Sequence, residues 1–251
     1  MSVHKAQSQR GKELTKGILA VMPLSLAVIP WGILAGSYAI DAGLTPLEAQ
    51  AMSAILFAGS AQLVAAGMFK AGIGLGAMLL TTFFITSRHF LYSVSMREKI
   101  KNLPTRWRLL IGFWLTDELF AICNSQSDKE FNRWYAAGVG GGFYLVWNLA
   151  SFAGIVAGSY IPALNEIGLD FAVAAMFIAL VLPLIKSIPV LVSVVVSLVL
   201  SVALYILHVE GALMFASVSG MVAGYLCEVM FSGRGNARSK FLNQEEEGRE
   251  I

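Results

Sequence analysis

Charge is scarce in this sequence. Only 14% of its 251 residues are Asp, Glu, Lys or Arg, whereas 57% are hydrophobic and the mean hydropathy is +0.69. A soluble domain carries about 25% charged residues, so a water-soluble fold is excluded. Apolar runs long enough to cross a bilayer as helices recur along the chain. The sequence therefore predicts an integral membrane protein.

Cysteine and catalytic motifs are also scarce. The two cysteines, Cys123 and Cys227, show no metal-ligand spacing and are interpreted as small packing residues. No H-E-x-x-H, G-x-S-x-G or Walker motif occurs. We therefore predict no enzymatic activity, no cofactor, no metal site and no nucleic-acid partner.

The apolar runs predict an all-α, polytopic transmembrane helix bundle. The eight segments are residues 17–40, 46–69, 74–95, 107–124, 134–160, 169–186, 188–208 and 211–231. The sixth and seventh are nearly continuous, so a count of seven is the alternative. We expect one transmembrane domain over residues 1–231, which includes a polar N-terminal tail at 1–16, and a polar, disordered C-terminal tail at 232–251.

Small residues recur at helical spacing. Two glycines four residues apart share a helix face and let backbones approach closely. Five such pairs occur: Gly32/Gly36, Gly72/Gly76, Gly138/Gly142, Gly154/Gly158 and Gly220/Gly224. A high glycine content alone would produce some of them. Residues 32–38 (Gly-Ile-Leu-Ala-Gly-Ser-Tyr) also match residues 154–160 (Gly-Ile-Val-Ala-Gly-Ser-Tyr), a candidate internal repeat of the kind found in transporters.

The basic residues give conflicting signals about orientation. The N-terminal tail is basic, and a second basic region spans residues 97–108. Basic loops belong in the cytoplasm, but three complete crossings would place these two regions on opposite sides. Either the N-terminus is outside, or one of the first three segments does not cross fully. The second segment, with Gly59-Ser60-Ala61-Gln62 at its centre, is the candidate for a broken or re-entrant helix.

Charges within the predicted helices need a reason, because a charge at the bilayer centre costs about 2.5–3.5 kcal/mol on insertion scales. The third segment carries Arg88, His89 and Tyr92, and the fourth carries Asp117 and Glu118. Arg88 could pair with either carboxylate, and His89 or a buried carboxylate can exchange a proton. These five side chains are predicted to line a substrate or proton pathway. The structural alternatives are an Arg88 side chain that snorkels to the surface and an ion pair that only holds helices in register.

Uncharged polar residues extend this candidate pathway. Ser60 and Gln62 lie in the second segment, and a second tier comprises Asn148 and Thr116. The simpler interpretation is that they form interhelical hydrogen bonds, each worth about 0.6 kcal/mol.

Three motifs carry a family resemblance. They are Phe57-Ala-Gly-Ser-Ala-Gln-Leu63, Ser87-Arg88-His89-Phe-Leu-Tyr92 and Leu115-Thr116-Asp117-Glu118-Leu-Phe120. In this order and spacing they resemble the AzlC family, the large subunit of bacterial branched-chain amino acid exporters. The resemblance covers residues 15–125. The chain departs from the family pattern at Thr86, where Asp or Asn is usual, and at Ser93, where Gly is usual.

The resemblance implies proton-driven, secondary export of valine, leucine, isoleucine, methionine and related amino acids across the bacterial cytoplasmic (inner) membrane. It also implies a separate small membrane subunit of AzlD type, so the expected partners are the substrate, protons, this subunit and the lipid bilayer. By hypothesis, Arg88 or a freed helix N-terminus meets the substrate carboxylate, and Asp117 or Glu118 meets the ammonium group or carries the proton. Two alternatives remain open: a channel or transporter for another small solute, and a non-transporting membrane scaffold or intramembrane enzyme.

Overall fold

The computed structural model describes residues 2–124, 126, 131–160, 169–182, 185–207, 209 and 211–247. Within these ranges the regular structure is helical and no strand occurs, which confirms the all-α prediction. The helices are α1 (Ser2–Asp41), α2 (Pro46–Ala51), α3 (Gly59–Lys70), α4 (Leu75–Thr86), α5 (Arg88–Ser95), α6 (Arg97–Ile100), α7 (Thr105–Phe113), α8 (Asp117–Asn124), α9 (Arg133–Tyr160), α10 (Leu169–Val181), α11 (Ile188–Ile206) and α12 (Ala212–Glu247).

Four described helices are long and apolar enough to cross a membrane. They comprise Gln9–Asp41 of α1, all of α9 and α11, and Ala212–Met230 of α12. The prediction of membrane-spanning helices is thus confirmed, but the expected count of about eight spans is not. The second, third and fourth predicted segments each consist of shorter helices.

Helices α1 and α9 pack as a parallel pair. Gly17 lies against the backbone of Tyr135 near their starts, and Gly36 lies against that of Ser151 near their ends. Because residue numbers increase together along both helices, the two run in the same direction.

The two ends of this pair serve as reference points. At one end, which we call the arginine end, the Arg10 guanidinium lies 5.6 Å from the centre of the Trp134 ring. The opposite end holds Asp41, the last residue of α1, and we call it the aspartate end.

The parallel pair depends on glycine. A Cβ atom built on Gly36 would lie 2.0 Å from the Ser151 carbonyl oxygen, and one on Gly154 would lie 2.0 Å from that of Ile33. Backbones approach this closely only where no side chain intervenes. The similar stretches 32–38 and 154–160 therefore lie side by side, which gives a packing reason for their likeness.

The second predicted segment is broken. After α2 the chain forms a π-helical turn, Met52–Leu56, and reaches Phe57, whose φ of 42° is left-handed; α3 starts anew at Gly59. Gly59 is required because a Cβ there would lie 2.6 Å from the Trp147 ring. The predicted break is confirmed, and it lies directly before the Gly59–Gln62 motif.

The first half of this segment runs from the aspartate end toward the middle of α9. Ala49 packs against Ile155, and the Phe57 ring lies 4.9 Å from the Tyr144 ring. The contact point thus moves back from residue 155 to residue 144 of α9, about 16 Å at 1.5 Å per residue.

The second half, α3, returns to the aspartate end. Gln62 donates to Ser53 on the first half at 2.8 Å. At the far end of α3, Lys70 pairs with Asp41 at 2.8 Å and lies over the Tyr38 ring. Each arm is about 18 Å long or shorter, against a hydrocarbon thickness of about 30 Å. Residues 46–70, the first hairpin, therefore enter and leave at one end.

The fourth predicted segment is a second hairpin, which enters from the arginine end. α7 starts where the Trp107 and Trp134 rings lie 4.8 Å apart. It ends with Phe113 5.7 Å from Tyr144, near the middle of α9. After a break at residues 114–116, Leu119 of α8 lies against Gly140 and Cys123 lies near Tyr135, so α8 runs back toward the start of α9. We call residues 105–124 the second hairpin.

The third predicted segment is the one that crosses between these hairpins. α4 packs against α3 from the aspartate end, and after α5 the Lys99 ammonium group donates to the carbonyls of Cys123 and Asn124 at the end of α8. Its helix is interrupted at Ser87, whose hydroxyl donates to the Phe84 carbonyl at 2.7 Å. Such side-chain bonds to the preceding turn compete with continued helix.

The hairpins remove the conflict in the basic residues. Among the described residues between α1 and α9, only the third segment runs from one end to the other, which is why those two helices are parallel. The N-terminal region and residues 97–108 consequently lie together at the arginine end. Of the two explanations that the sequence left open, the structure supports the incomplete crossing of the second segment.

Residues 175–251 form a second compact unit. Its helices α11 and α12 are antiparallel, with Gly220 against Ser197 and Gly224 against Ser193. α12 continues to Glu247, through most of the region that the sequence marks as a disordered tail. Residue 208, the predicted end of the seventh segment, and residues 248–251 lie outside the described residues. The single-domain assignment stays a prediction.

Candidate functional site

Three helices begin close together at the tips of the two hairpins. α3 starts with Gly59 and Ser60 at the tip of the first hairpin, α8 starts with Asp117 at the tip of the second, and α5 starts with Arg88 on the crossing segment. The tips meet directly, since the Phe57 and Phe113 rings stack with centroids 6.2 Å apart. Each helix start exists because the chain is broken just before it.

Arg88 bridges the two hairpins. Its guanidinium forms a 2.8 Å ion pair with Asp117 and lies 3.5 Å from the Ser60 hydroxyl, to which it donates. The structure thus decides between the two predicted carboxylate partners in favour of Asp117. The Arg88 and Asp117 side chains keep 40% and 42% of their surface free of protein contact. The pair is therefore only partly covered by the protein.

Three helix N-termini add positive character to this site. A helix N-terminus carries the equivalent of about half a positive charge from its unsatisfied N–H groups. The starts of α3, α5 and α8 lie around one cation, Arg88, and two neighbouring carboxylates, Asp117 and Glu118. The N–H groups at these helix starts therefore offset part of the negative charge and offer donors to a carboxylate that a ligand brings.

An aromatic pair lies on one side of the ion pair. The Tyr92 ring stacks on the Phe120 ring with centroids 4.4 Å apart, and Tyr92 interacts with Asp117. The His89 ring lies 5.9 Å from the Tyr92 ring. Glu118 is half-buried next to Asp117. The structure thus brings the five predicted residues of the third and fourth segments into one region.

A second aromatic group lies on the other side, where the hairpin tips meet. Phe57 contacts Phe113, Phe143 and Tyr144, with ring centroids 4.9–6.2 Å apart. Phe57 is the only non-glycine residue with positive φ in the described part of the chain. Such a conformation costs about 1–3 kcal/mol in a non-glycine residue, which the burial of its ring offsets. We call Phe57, Phe113 and Tyr144 the ring cluster.

Gln62 and Asn148 belong to a different group of polar residues. Gln62 is fully buried and donates to Ser53, which lies 2.5 Å from Ser151. Asn148 accepts from Gln50 at 2.9 Å. These bonds join the first hairpin to α9 and lie apart from the Arg88–Asp117 pair. Thr116 is buried in the break before α8.

Several polar residues around the site escape sequence reasoning. Gln50, Ser53 and Ser151 hold the first hairpin against α9, but each is a single polar residue in an apolar run. Asn148 and Ser151 lie three positions apart on α9, which places both on one helix face and is the signal that could have identified Ser151. Lys99 caps α8 through carbonyl groups of three residues, which only the fold reveals.

Helices of spanning length, two re-entrant hairpins and an ion pair that joins the second hairpin tip to the crossing segment define a polytopic membrane protein with an internal polar site. The family model described as "AzlC protein" matches residues 23–161. The chain therefore belongs to the AzlC family, as its motifs predict, and the family supports a role in membrane transport.

Curated relatives agree with this assignment. The chain is 31% identical over 169 residues to the inner membrane protein YgaZ of Escherichia coli (strain K12), which covers 64% of this chain and 69% of that protein. It is 29% identical over 162 residues to the branched-chain amino acid transport protein AzlC of Bacillus subtilis (strain 168), 63% of each chain. An uncharacterized membrane protein of Archaeoglobus fulgidus is 29% identical over 174 residues, 68% of this chain and 76% of its own length. No solved structure matches the chain.

Proposed function

We propose that this protein is the large subunit of a secondary exporter for branched-chain and related amino acids, such as valine, leucine, isoleucine and methionine. It works in the bacterial cytoplasmic membrane, is driven by the proton gradient and assembles with a small AzlD-type subunit. Family membership supports the transport role. The name of the Bacillus relative supports the substrate class.

The Arg88–Asp117 pair carries this proposal. A zwitterionic amino acid needs a cation for its carboxylate and an anion for its ammonium group, because an unpaired charge at membrane depth is costly. Arg88 presents a planar fork of donors that suits a carboxylate. Asp117 offers the complementary anion 2.8 Å away. When the substrate binds, the Arg88–Asp117 ion pair is replaced by two ion pairs between the protein and the substrate.

The opposed hairpins support alternating access. The first hairpin covers the pair from the aspartate end, through Ser60. The second covers it from the arginine end, through Asp117 itself. Movement of either hairpin would open the site to one face only. Substrate sites built from discontinuous helices at the bilayer midplane are typical of secondary transporters.

The basic residues orient the protein in this proposal. Arg10 and the 97–108 region lie at the arginine end, which by the positive-inside rule faces the cytoplasm. The second hairpin then opens inward and the first opens outward. Glu118 and His89, close to Asp117, are the candidates for the transported proton.

Efflux from proteoliposomes tests the proposal. With both subunits present, leucine or valine efflux should rise when a proton gradient is imposed and should collapse with an uncoupler. Asp117→Asn and Glu118→Gln should each abolish gradient-driven efflux, whereas Glu98→Gln, a matched change at an exposed carboxylate outside the membrane, should not. Full gradient-driven efflux in well-expressed Asp117→Asn and Glu118→Gln proteins would refute the coupling role.

Omission of the small subunit tests the assembly. Efflux that is unchanged without it, at equal amounts of the large subunit, would remove the partner from the proposal. Flux that ignores the proton gradient in the intact pair would instead support a channel.

A further inference from the structure

We infer that the ring cluster is the subsite for the substrate's aliphatic side chain and that Phe57 determines which side chains fit. This inference rests on the proposed amino acid transport. It assigns a role to Phe57, which lies outside the charged pair, and it explains how the transporter would select among amino acids.

The covalent chain keeps the ring cluster near the charges. Phe57 precedes Ser60 by three residues and Phe113 precedes Asp117 by four. Even a fully extended chain covers only about 3.3–3.6 Å per residue, so the Cα atom of each ring residue lies within about 14 Å of the Cα atom of a residue that contacts Arg88. Both hairpin tips therefore present an aromatic ring and a polar group together.

The substrate's geometry demands such a neighbour. The carboxylate and ammonium groups of an amino acid leave the same carbon as its side chain, so a substrate held by Arg88 and Asp117 must place its apolar part directly beside them. Aromatic surface is a favourable contact for aliphatic groups. The described residues offer two such surfaces, the ring cluster and the Tyr92–Phe120 stack.

Two features favour the ring cluster. It joins both hairpin tips to α9, and these three elements must separate for a substrate to pass. A substrate side chain bound there would therefore contact the elements that move. Phe57 also adopts a left-handed backbone conformation, which a bulky residue rarely tolerates. Tyr92 in the other stack already interacts with the Asp117 carboxylate, so it is less available to an aliphatic side chain.

Phe57 closes the subsite. Only 5% of its surface is exposed, whereas Phe113 is 47% exposed. The Phe57 ring stacks on the Phe113 ring, so it would limit the depth available to a substrate side chain that lies against Phe113. A smaller residue at position 57 should enlarge the space, weaken contacts with leucine and admit an aromatic side chain.

Transport specificity in proteoliposomes tests this inference. The measurement is the apparent KM of alanine, valine, leucine and phenylalanine for the wild type, Phe57→Leu and Phe57→Ala. Removal of the ring should reduce the preference for leucine over alanine by on the order of tenfold, the effect of small changes in an apolar pocket. Phenylalanine should become a better substrate, a gain that loss of folding cannot produce.

Phe120→Leu is the matched control, because it removes a ring from the stack on the other side of the pair. It should leave the order of the four amino acids unchanged. A shifted order in Phe120→Leu with an unchanged one in both Phe57 variants would place the subsite in the other stack and overturn the inference. If both Phe57 variants fail to fold, Phe113→Leu at the half-exposed partner ring carries the same test. A wild type that moves no amino acid refutes the proposed function instead.

Discussion

Arg88 and Asp117 form a 2.8 Å ion pair although 29 positions separate them in the chain. Asp117 lies at the tip of a hairpin that enters from one end of the molecule. Through Ser60, Arg88 also contacts a hairpin that enters from the other end. The pair therefore links the two hairpins, which would move in the proposed transport cycle. Its perturbation should affect both stability and transport.

Single and double charge removal should separate these two roles. Asp117→Asn leaves an uncompensated arginine, which costs about 2.5–3.5 kcal/mol at membrane depth, whereas Arg88→Gln leaves an aspartate that a proton can neutralise. We therefore expect Asp117→Asn to lower thermal stability more than Arg88→Gln. The double variant should recover stability because neither charge of the pair remains, yet it should transport no leucine. Thermal unfolding in detergent and proteoliposome efflux measure the two effects.

A double variant with restored transport would contradict this expectation. It would mean that the pair only holds the helices in register, the structural alternative that the sequence left open.

Cysteine accessibility should verify the hairpin topology. In a background with Cys123→Ala and Cys227→Ala, single substitutions at Thr15, Ala71 and Asn102 place a thiol in three exposed positions. Because the first hairpin returns to the end it enters, Thr15→Cys and Asn102→Cys should react on the cytoplasmic side and Ala71→Cys on the other. Membrane-impermeant maleimide labelling of intact and permeabilised cells reads this directly.

Simple alternation of three complete crossings predicts the reverse grouping, with Thr15 and Ala71 on one side and Asn102 on the other. That result would show that the second segment crosses the membrane.

The α1–α9 pair should be intolerant of added methyl groups. Gly36→Ala would place a Cβ 2.0 Å from the Ser151 carbonyl oxygen, and overpacking of this kind costs about 1–3 kcal/mol. Gly76→Ala is the control, because nothing lies within 4 Å of its position and alanine favours helix. Thermal stability should fall in the first variant and stay equal or rise in the second. Equal stability of the two would show that close backbone contact is unimportant here.

Removal of one partner of the buried Ser53–Gln62 hydrogen bond should destabilise the protein more than removal of both partners. Ser53→Ala leaves the Gln62 amide without its 2.8 Å partner, and an unsatisfied buried group costs about 1–3 kcal/mol. Adding Gln62→Leu removes the unpaired amide, so the double variant should unfold at a higher temperature than Ser53→Ala alone. Additive losses in the two single variants would indicate that the groups act independently.

Much of the candidate site was predictable because charge in an apolar run is a strong signal. Arg88, His89, Asp117 and Glu118 stand out wherever hydropathy is high, and the structure brings them together. The polar partners of the first hairpin were harder to find. Single serine and glutamine residues occur in membrane helices as interhelical hydrogen-bonding groups, and nothing local shows which of them meet across 98 positions of the chain, as Ser53 and Ser151 do.

The helix breaks were only partly predictable. The Gly59–Gln62 stretch signalled the first one correctly. The break before Asp117 had a signal too, since Thr-Asp-Glu is a common helix start, but hydropathy alone reads residues 107–124 as one span. Pro23 and Pro30, conversely, lie inside the continuous α1, so proline alone did not mark the breaks.

The sequence by itself determined that this chain is a helical membrane protein of the AzlC family with charges inside its helices. Composition and short motifs carry that information, because lipid solvation and local spacing act on neighbouring residues. Only the tertiary structure decided that the second and fourth segments are hairpins, that Arg88 meets Asp117, and that the basic regions share one end. Hydropathy indicates how well a segment tolerates lipid, not whether it crosses the membrane. The end to which a hairpin returns is set by contacts between residues far apart in the chain, such as Lys70 with Asp41.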